Sequence, residues 1–187
     1  MNILIFGKDG QLGKAFKSVF DAIKLGELHR ITYVGRAECD LSNADAITAL
    51  LDELKPNLIF NAAAYTGVDK AETEVDLAYA INAKAPEVMA MYAKRHGATF
   101  LHYSTDYVFD GSKKTPYVET DVRNPLGMYG KSKAAGEEVI EAVFKTNHQS
   151  NKKYLTQRKI LKTHNTPSCA PVGSSGMGVI SFARFCA

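Results

Sequence analysis

Ile3-Leu4-Ile5-Phe6-Gly7-Lys8-Asp9-Gly10-Gln11-Leu12-Gly13 reads as a short apolar strand that runs into a glycine-rich turn and the start of a helix. Four consecutive apolar residues suit a strand covered on both faces. Gly7, Gly10 and Gly13 then make a G-x-x-G-x-x-G turn. Glycine there permits the bend, lets backbone approach a ligand, and allows a helix to pack close to the strand. Gln11 and Leu12 open the helix, whose first-turn N–H groups and dipole face any anion held by the turn. The stretch predicts a cradle for a dinucleotide pyrophosphate.

Working outward, the same strand–helix alternation repeats. Ile31-Thr32-Tyr33-Val34, Asn57-Leu58-Ile59-Phe60-Asn61 and Thr99-Phe100-Leu101-His102-Tyr103-Ser104 read as further strands. Helices are expected over 12–23, over 46–54 with Ser42 or Asn43 as N-cap, over 76–96 with a break or restart near Pro86, and over 129–144 with Gly136 tolerated inside. Residues 105–125 read as a long polar loop. Short apolar strands alternating with helices indicate an α/β fold, a Rossmann-type doubly wound parallel sheet covered on both faces. Ligands in such sheets bind at the carboxyl ends of the strands, near the switch in strand order.

At 187 residues there is room for one domain with a sizeable core. No apolar run approaches the ~18 residues needed to span a bilayer, and the N-terminus does not read as a signal peptide, so a cytoplasmic protein is expected with no membrane partner. The three cysteines, Cys39, Cys169 and Cys186, have no metal-ligand spacing and read as reduced thiols. His29, His102, His148 and His164 read as bland, Lys113-Lys114 as a solvated loop pair, and Met89 and Met91 as ordinary helix positions. No metal site is expected.

The net charge of +3 hides a break. After Glu141 there is no Asp or Glu, while Lys145, Lys152, Lys153, Arg158, Lys159, Lys162 and Arg184 supply positive charge. An acidic domain over 1–144 is therefore followed by a basic tail over 145–187, expected to be foreign to the domain, as an out-of-frame reading would be. The basic residues of this tail are scattered, so no nucleic-acid partner is expected.

At the end of the second strand, Tyr33-Val34-Gly35-Arg36 has no acid until Glu38. A carboxylate about 20 residues beyond the glycines usually holds a ribose that lacks the 2′-phosphate. Arg36 at that place would pair with a 2′-phosphate, which favours NADPH with NADH as the alternative; the bland reading is a solvated surface arginine. Asp40 and Leu41 would lie beside the adenine. Tyr129 and Lys133 are spaced i, i+4 and share one helix face. Free tyrosine has a pKa of about 10, and a nearby lysine cation favours the phenolate. Ser104-Thr105-Asp106-Tyr107, at the end of the fourth strand, brings a hydroxyl to the same cleft.

On these residues 1–144 resemble the extended short-chain dehydrogenase/reductases, and among them the dTDP-4-dehydrorhamnose reductase family. The matching runs are Asn2 through Gly13, Asn61-Ala62-Ala63-Ala64-Tyr65-Thr66, Val68-Asp69-Lys70-Ala71-Glu72, Ala80-Ile81-Asn82-Ala83, Ser104-Thr105-Asp106-Tyr107-Val108-Phe109-Asp110-Gly111 and Asn124 through Lys133. The resemblance implies hydride transfer from NAD(P)H to the C4 ketone of a dTDP-4-keto sugar. It implies Tyr129 as proton donor, Lys133 as the group that lowers its pKa and holds the ribose, and Thr105 on the substrate oxygen. It further implies Asp106 and Tyr107 lining the sugar site, with Ala63, Ala64, Tyr65 and Thr66 along the cofactor.

The resemblance stops near Phe144, where the family continues into a further strand and a smaller nucleotide-sugar domain. The sequence after Phe144 contains no tryptophan and no stretch that reads as that strand. A homodimer known in the family through that domain is not carried over, because the tail lacks the acids it uses. Two alternatives remain: another nucleotide-sugar reductase or epimerase of the extended family, or a non-catalytic cofactor-binding regulatory subunit, as in the regulatory subunit of methionine adenosyltransferase.

Overall fold

A computed structural model describes residues 1–118, 120–145 and 154–157. Strand β1 (Asn2–Phe6) leads through the glycine turn into α1 (Gln11–Ala22), followed by the short α2 (Leu25–Leu28) and β2 (Arg30–Val34). Next come α3 (Ala44–Leu54), β3 (Leu58–Asn61) and α4 (Val68–Ala71). Helix α5 (Val75–Tyr79) passes through a π turn at Ala80–Lys84 into α6 (Ala85–His96), and β4 (Thr99–Tyr103) follows. A 3₁₀ turn at Asp106–Val108, helix α7 (Met128–Lys145) and β5 (Tyr154–Gln157) complete the described elements.

The sheet is wholly parallel, in the order β2-β1-β3-β4-β5. Phe6, the last residue of β1, stands opposite Val34 on one side and Asn61 on the other, so three strand ends are level at the carboxyl edge. Alternate residues bury on opposite faces, as the twofold period of a strand demands. Leu4, Phe6, Ile59 and Phe100 pack with Ile47 and Leu51 of α3, Met89, Ala90 and Ala93 of α6, and Ile140 of α7. Ile3, Ile5, Phe60 and Leu101 meet Phe16 and Phe20 of α1 on the other face. The Phe16 ring lies 5.0 Å from Phe60 and 5.8 Å from Tyr103, centroid to centroid. Each such side chain contributes about 1.5–3 kcal/mol by leaving water, and together they fix the strand ends that carry the site.

The structure sharpens three of the sequence expectations for the helices. The break or restart expected near Pro86 is present: the π turn ends at Lys84 and α6 begins at Ala85, with Pro86 in its first turn. Of the two N-cap candidates for α3, Asn43 is the cap, its side-chain oxygen accepting from the N–H groups of Asp45 and Ala46 at 3.0 and 3.1 Å; Ser42 instead donates to Asp40. Gly136 is required rather than tolerated, since a Cβ there would lie 2.1 Å from the Asn82 carbonyl oxygen.

One stretch of the tail, where the sequence shows nothing that reads as a strand, lies among the described residues. Tyr154–Gln157 forms a strand parallel to β4, with Phe100 opposite Tyr154 and Tyr103 opposite Gln157. The free N–H and C=O groups of the β4 edge need partners, and four residues are too few for hydrophobic periodicity to announce the strand that supplies them. Cys169, Cys186, His148, His164 and the rest of the basic tail lie outside the described residues. No helix among the described residues is long and apolar enough to cross a membrane.

Candidate active site

The strand order reverses between β1 and β3, and a cleft of about 1050 Å³ opens at their carboxyl ends. Eleven of the predicted cofactor residues line it: Gly7, Gly10, Gln11, Leu12, Arg36, Asp40, Leu41, Ala63, Ala64, Tyr65 and Thr66. Gly7 has φ of 88°, a left-handed conformation, and a Cβ on it would lie 2.7 Å from the Ala63 nitrogen. Gly13 is buried beneath it, where a Cβ would meet the Gly7 carbonyl oxygen at 2.2 Å. The two glycines bring the turn, α1 and the Ala62–Ala63 backbone together around the cleft. The first turn of α1 contains no acidic residue and no side chain caps it, the nearest carboxylate in sequence being Asp9, which also lines the cleft.

At the β2 end, Arg36 is 79% exposed and its guanidinium stands 4.0 Å from the Asp40 carboxylate. Glu38 is engaged twice: one oxygen pairs with Lys8 and the other accepts from the Gly35 N–H at 2.8 Å. The Lys8 hydrogen bond, then that backbone N–H, hold the Glu38 carboxyl below its ordinary range. Hydrogen bonds from Ser42 do the same for Asp40. Arg36 is thus both at the cleft and largely solvated, so neither of its two sequence readings is excluded.

A second cluster stands at the end of β4. The Thr105 hydroxyl accepts from the Tyr107 N–H at 3.3 Å, donates to Asp106 at 3.1 Å, and lies near enough to the Tyr129 phenol to act on its titration. The Tyr107 and Tyr129 rings meet edge to face at 5.4 Å. Burial raises the Tyr129 pKa above 10, the Thr105 hydroxyl opposing it and the nearby Asp106 and Tyr107 reinforcing it. Lys133, expected to hold the phenol down, is not among the groups that act on it here; burial favours the protonated form.

Lys133 is 2% exposed. Its ammonium nitrogen donates to the Tyr103 carbonyl at 2.6 Å and lies 3.4 Å from His102 Nε2. Burial brings its pKa down to about 8, with Glu137 acting in the other direction. His102 is therefore not the bland residue expected from its lack of metal spacing. It is buried beside Lys133, with Nδ1 3.1 Å from the Asn61 side-chain amide.

Three further residues join the clusters, and sequence reasoning passed over their roles. Asn82, in the π turn, accepts from the Tyr65 N–H at 2.9 Å and donates to the Tyr65 carbonyl and the Ser132 hydroxyl, each at 3.0 Å. It ties the cleft loop to α7. Glu72 accepts from the Met128 N–H at 2.8 Å and so caps the helix that carries Tyr129. Arg123 pairs with Glu137 and Glu141, both at 3.0 Å, and pins the preceding loop to α7. An asparagine within an otherwise apolar helix was the available signal for Asn82; the other two are contacts across long sequence separations. Lys113, expected to be solvated, pairs with Asp121 at 2.6 Å.

A parallel sheet with a glycine-lined cleft at its switch point defines a Rossmann-type α/β protein. The chain belongs to the RmlD substrate binding domain family, which matches residues 1–154. It is 44% identical over 138 residues to the dTDP-4-dehydrorhamnose reductase of Aggregatibacter actinomycetemcomitans, covering 74% of this chain and 46% of that protein. Its fold superimposes on the dTDP-4-dehydrorhamnose reductase of Clostridium acetobutylicum with a TM-score of 0.75 at 39% identity, covering 84% of this chain and 52% of the other. The reductase of Bacillus anthracis, solved in complex with NADP, gives a TM-score of 0.73 at 34% identity, covering 84% and 52%. The chain spans about half the length of the curated relatives it matches.

Proposed function

We propose that this chain carries the dinucleotide-binding and proton-donating part of a dTDP-4-dehydrorhamnose reductase. The observation that carries the reading is the grouping of Thr105, Tyr107 and Tyr129 one helical turn from buried Lys133, on a helix joined through Asn82 to the glycine-lined cleft. The cleft suits a dinucleotide: Gly7 and Gly13 let the turn close on α1 and on the Ala62–Ala63 backbone where any Cβ would collide, and the N-terminal end of α1 at the cleft suits a pyrophosphate. NADPH is the favoured cofactor, with Arg36 free to turn toward a 2′-phosphate and NADH as the alternative. When bound, the reduced nicotinamide supplies a hydride.

The rest belongs to side chains of this chain. Thr105 donates to the ketone oxygen and holds the carbonyl beside the phenol. Tyr129 gives its proton to that oxygen as negative charge develops there. Burial keeps the phenol protonated at neutral pH, the state a donor needs. Hydride to C4 and proton to oxygen convert the ketone to the alcohol of dTDP-L-rhamnose. Asp106 and Tyr107 face the sugar, and Lys133 faces the nicotinamide ribose.

The test uses the 187-residue chain. NADPH and NADH are titrated by calorimetry, then oxidation of the tighter one is followed after addition of dTDP-4-dehydrorhamnose. Saturable dinucleotide binding is expected, with turnover that falls about 10²–10⁴-fold in Tyr129→Phe while affinity for the dinucleotide is kept. Absence of dinucleotide binding, or turnover indifferent to Tyr129→Phe, overturns the reading.

A further inference from the structure

Behind the site runs a buried chain of groups from the cleft to the lysine. The Asn61 side-chain oxygen accepts from the Ala63 N–H at 3.3 Å, which leaves the amide NH₂ to face His102 Nδ1 at 3.1 Å. An amide NH₂ can only donate, so Nδ1 is the accepting nitrogen of the ring. Asn61 and His102 are 0 and 1% exposed, so water does not supply a different partner. In a neutral imidazole the single ring proton must then sit on Nε2, the nitrogen that faces Lys133.

The two contacts of Lys133 agree with that assignment. Nζ is 2.6 Å from the Tyr103 carbonyl, a good acceptor, but 3.4 Å from Nε2, long for an ammonium bonded to a bare imidazole nitrogen. We propose that His102 is a positioning residue for Lys133, fixed by Asn61 in the Nε2–H tautomer, so that it presents a donor to the lysine and favours its neutral amine. The amine fits every partner: one N–H serves the Tyr103 carbonyl and the lone pair accepts from Nε2–H. The charged groups facing Lys133 are few. Glu137, on the same helix, favours the ammonium and is itself paired with Arg123; Tyr129, one turn earlier, is held protonated; β4 contributes only His102 and the Tyr103 carbonyl. Burial and the neutral, donating histidine act in one direction on the lysine, consistent with its lowered pKa, and burial holds His102 well below its ordinary value, so the ring stays neutral.

The role of Lys133 in the site rests on the proposed function, but the tautomer and the lysine titration do not, and they are read without turnover. In the intact chain labelled with ¹⁵N and ¹³C, the His102 ring nitrogens report the tautomer and the Lys133 Cε shift reports the lysine midpoint. The expected result is a pyridine-type Nδ1 and a pyrrole-type Nε2 unchanged across neutral pH, with Lys133 titrating at least about one unit below an ordinary lysine. In Asn61→Asp, the carboxylate draws the proton to Nδ1, Nε2 becomes an acceptor, and the Lys133 midpoint rises by about one unit or more. A proton on Nδ1 in the unsubstituted chain, or a Lys133 midpoint at the ordinary value, overturns the proposal even if Asn61→Asp fails to fold. A null result for reductase activity leaves this reading standing, and the wrong tautomer leaves the reductase reading standing.

Discussion

Lys133 costs the fold stability at neutral pH, and the direction of that cost is measurable. Its folded pKa, about 8, lies below the ordinary 10.5, so between those values the unfolded chain holds a proton that the folded chain has released. Stability therefore rises with pH across that window. The rise is interrupted near pH 10, where Tyr129 and Tyr103, the latter pushed up to about 12 by burial, begin to favour the unfolded state. Urea unfolding at about pH 7.5 and pH 9.5 should show a gain of order 1–2 kcal/mol, absent in Lys133→Met. Equal stability at both values in the unsubstituted chain would contradict a depressed lysine. At this scale the sequence shows residue types better than states. The Tyr-x-x-x-Lys spacing announced the pair, but which of the two would be deprived of its charge depends on burial that spacing does not carry.

Among the elements, the π turn at Ala80–Lys84 matters most, because it turns Asn82 toward both the Tyr65 backbone and Ser132. Asn82→Ala removes three hydrogen bonds and strands buried polar groups, so a loss of about 2–4 kcal/mol is expected by thermal or chemical unfolding. Dinucleotide affinity should fall with it, since Tyr65 lines the cleft; an unchanged affinity in the folded variant would show that the loop holds its shape unaided. Arg123→Met should cost about 2–4 kcal/mol, because the buried Glu137 loses the cation opposite it. Acidification should narrow that difference: hydrogen bonds to Arg123 and Lys145 hold Glu141 below its usual range against the effect of burial, and its contribution disappears as pH falls through that lowered value. The helices and strands themselves were legible from apolar runs and caps. The π turn was not, since a one-residue slip in hydrogen bonding leaves the helical pattern almost unchanged.

For the molecule as a whole, β5 decides whether β4 is a covered strand or the edge of the described sheet. A chain ending at Lys145 would leave the outer edge of β4 without its partner from Phe100 to Tyr103. Such a chain should self-associate at concentrations where the 187-residue chain is monodisperse by light scattering, and equal behaviour of the two would mean that β5 adds nothing to solubility. The doubly wound architecture was readable from strand–helix alternation, and the cleft from its glycines. The fifth strand was hidden in a segment whose composition departs from the rest. One consequence of Asn82 reaches across the whole site. The loop to which the proposed function gives the nucleotide and the helix to which it gives the acid are separated by more than sixty positions in the chain, from Tyr65 to Ser132, yet a single side-chain amide spans them. On the proposed function, positional error between the bound dinucleotide and the Tyr129 phenol therefore accumulates over two contacts instead of along that backbone, and the tolerance of their alignment is set by a part that is closed off from solvent.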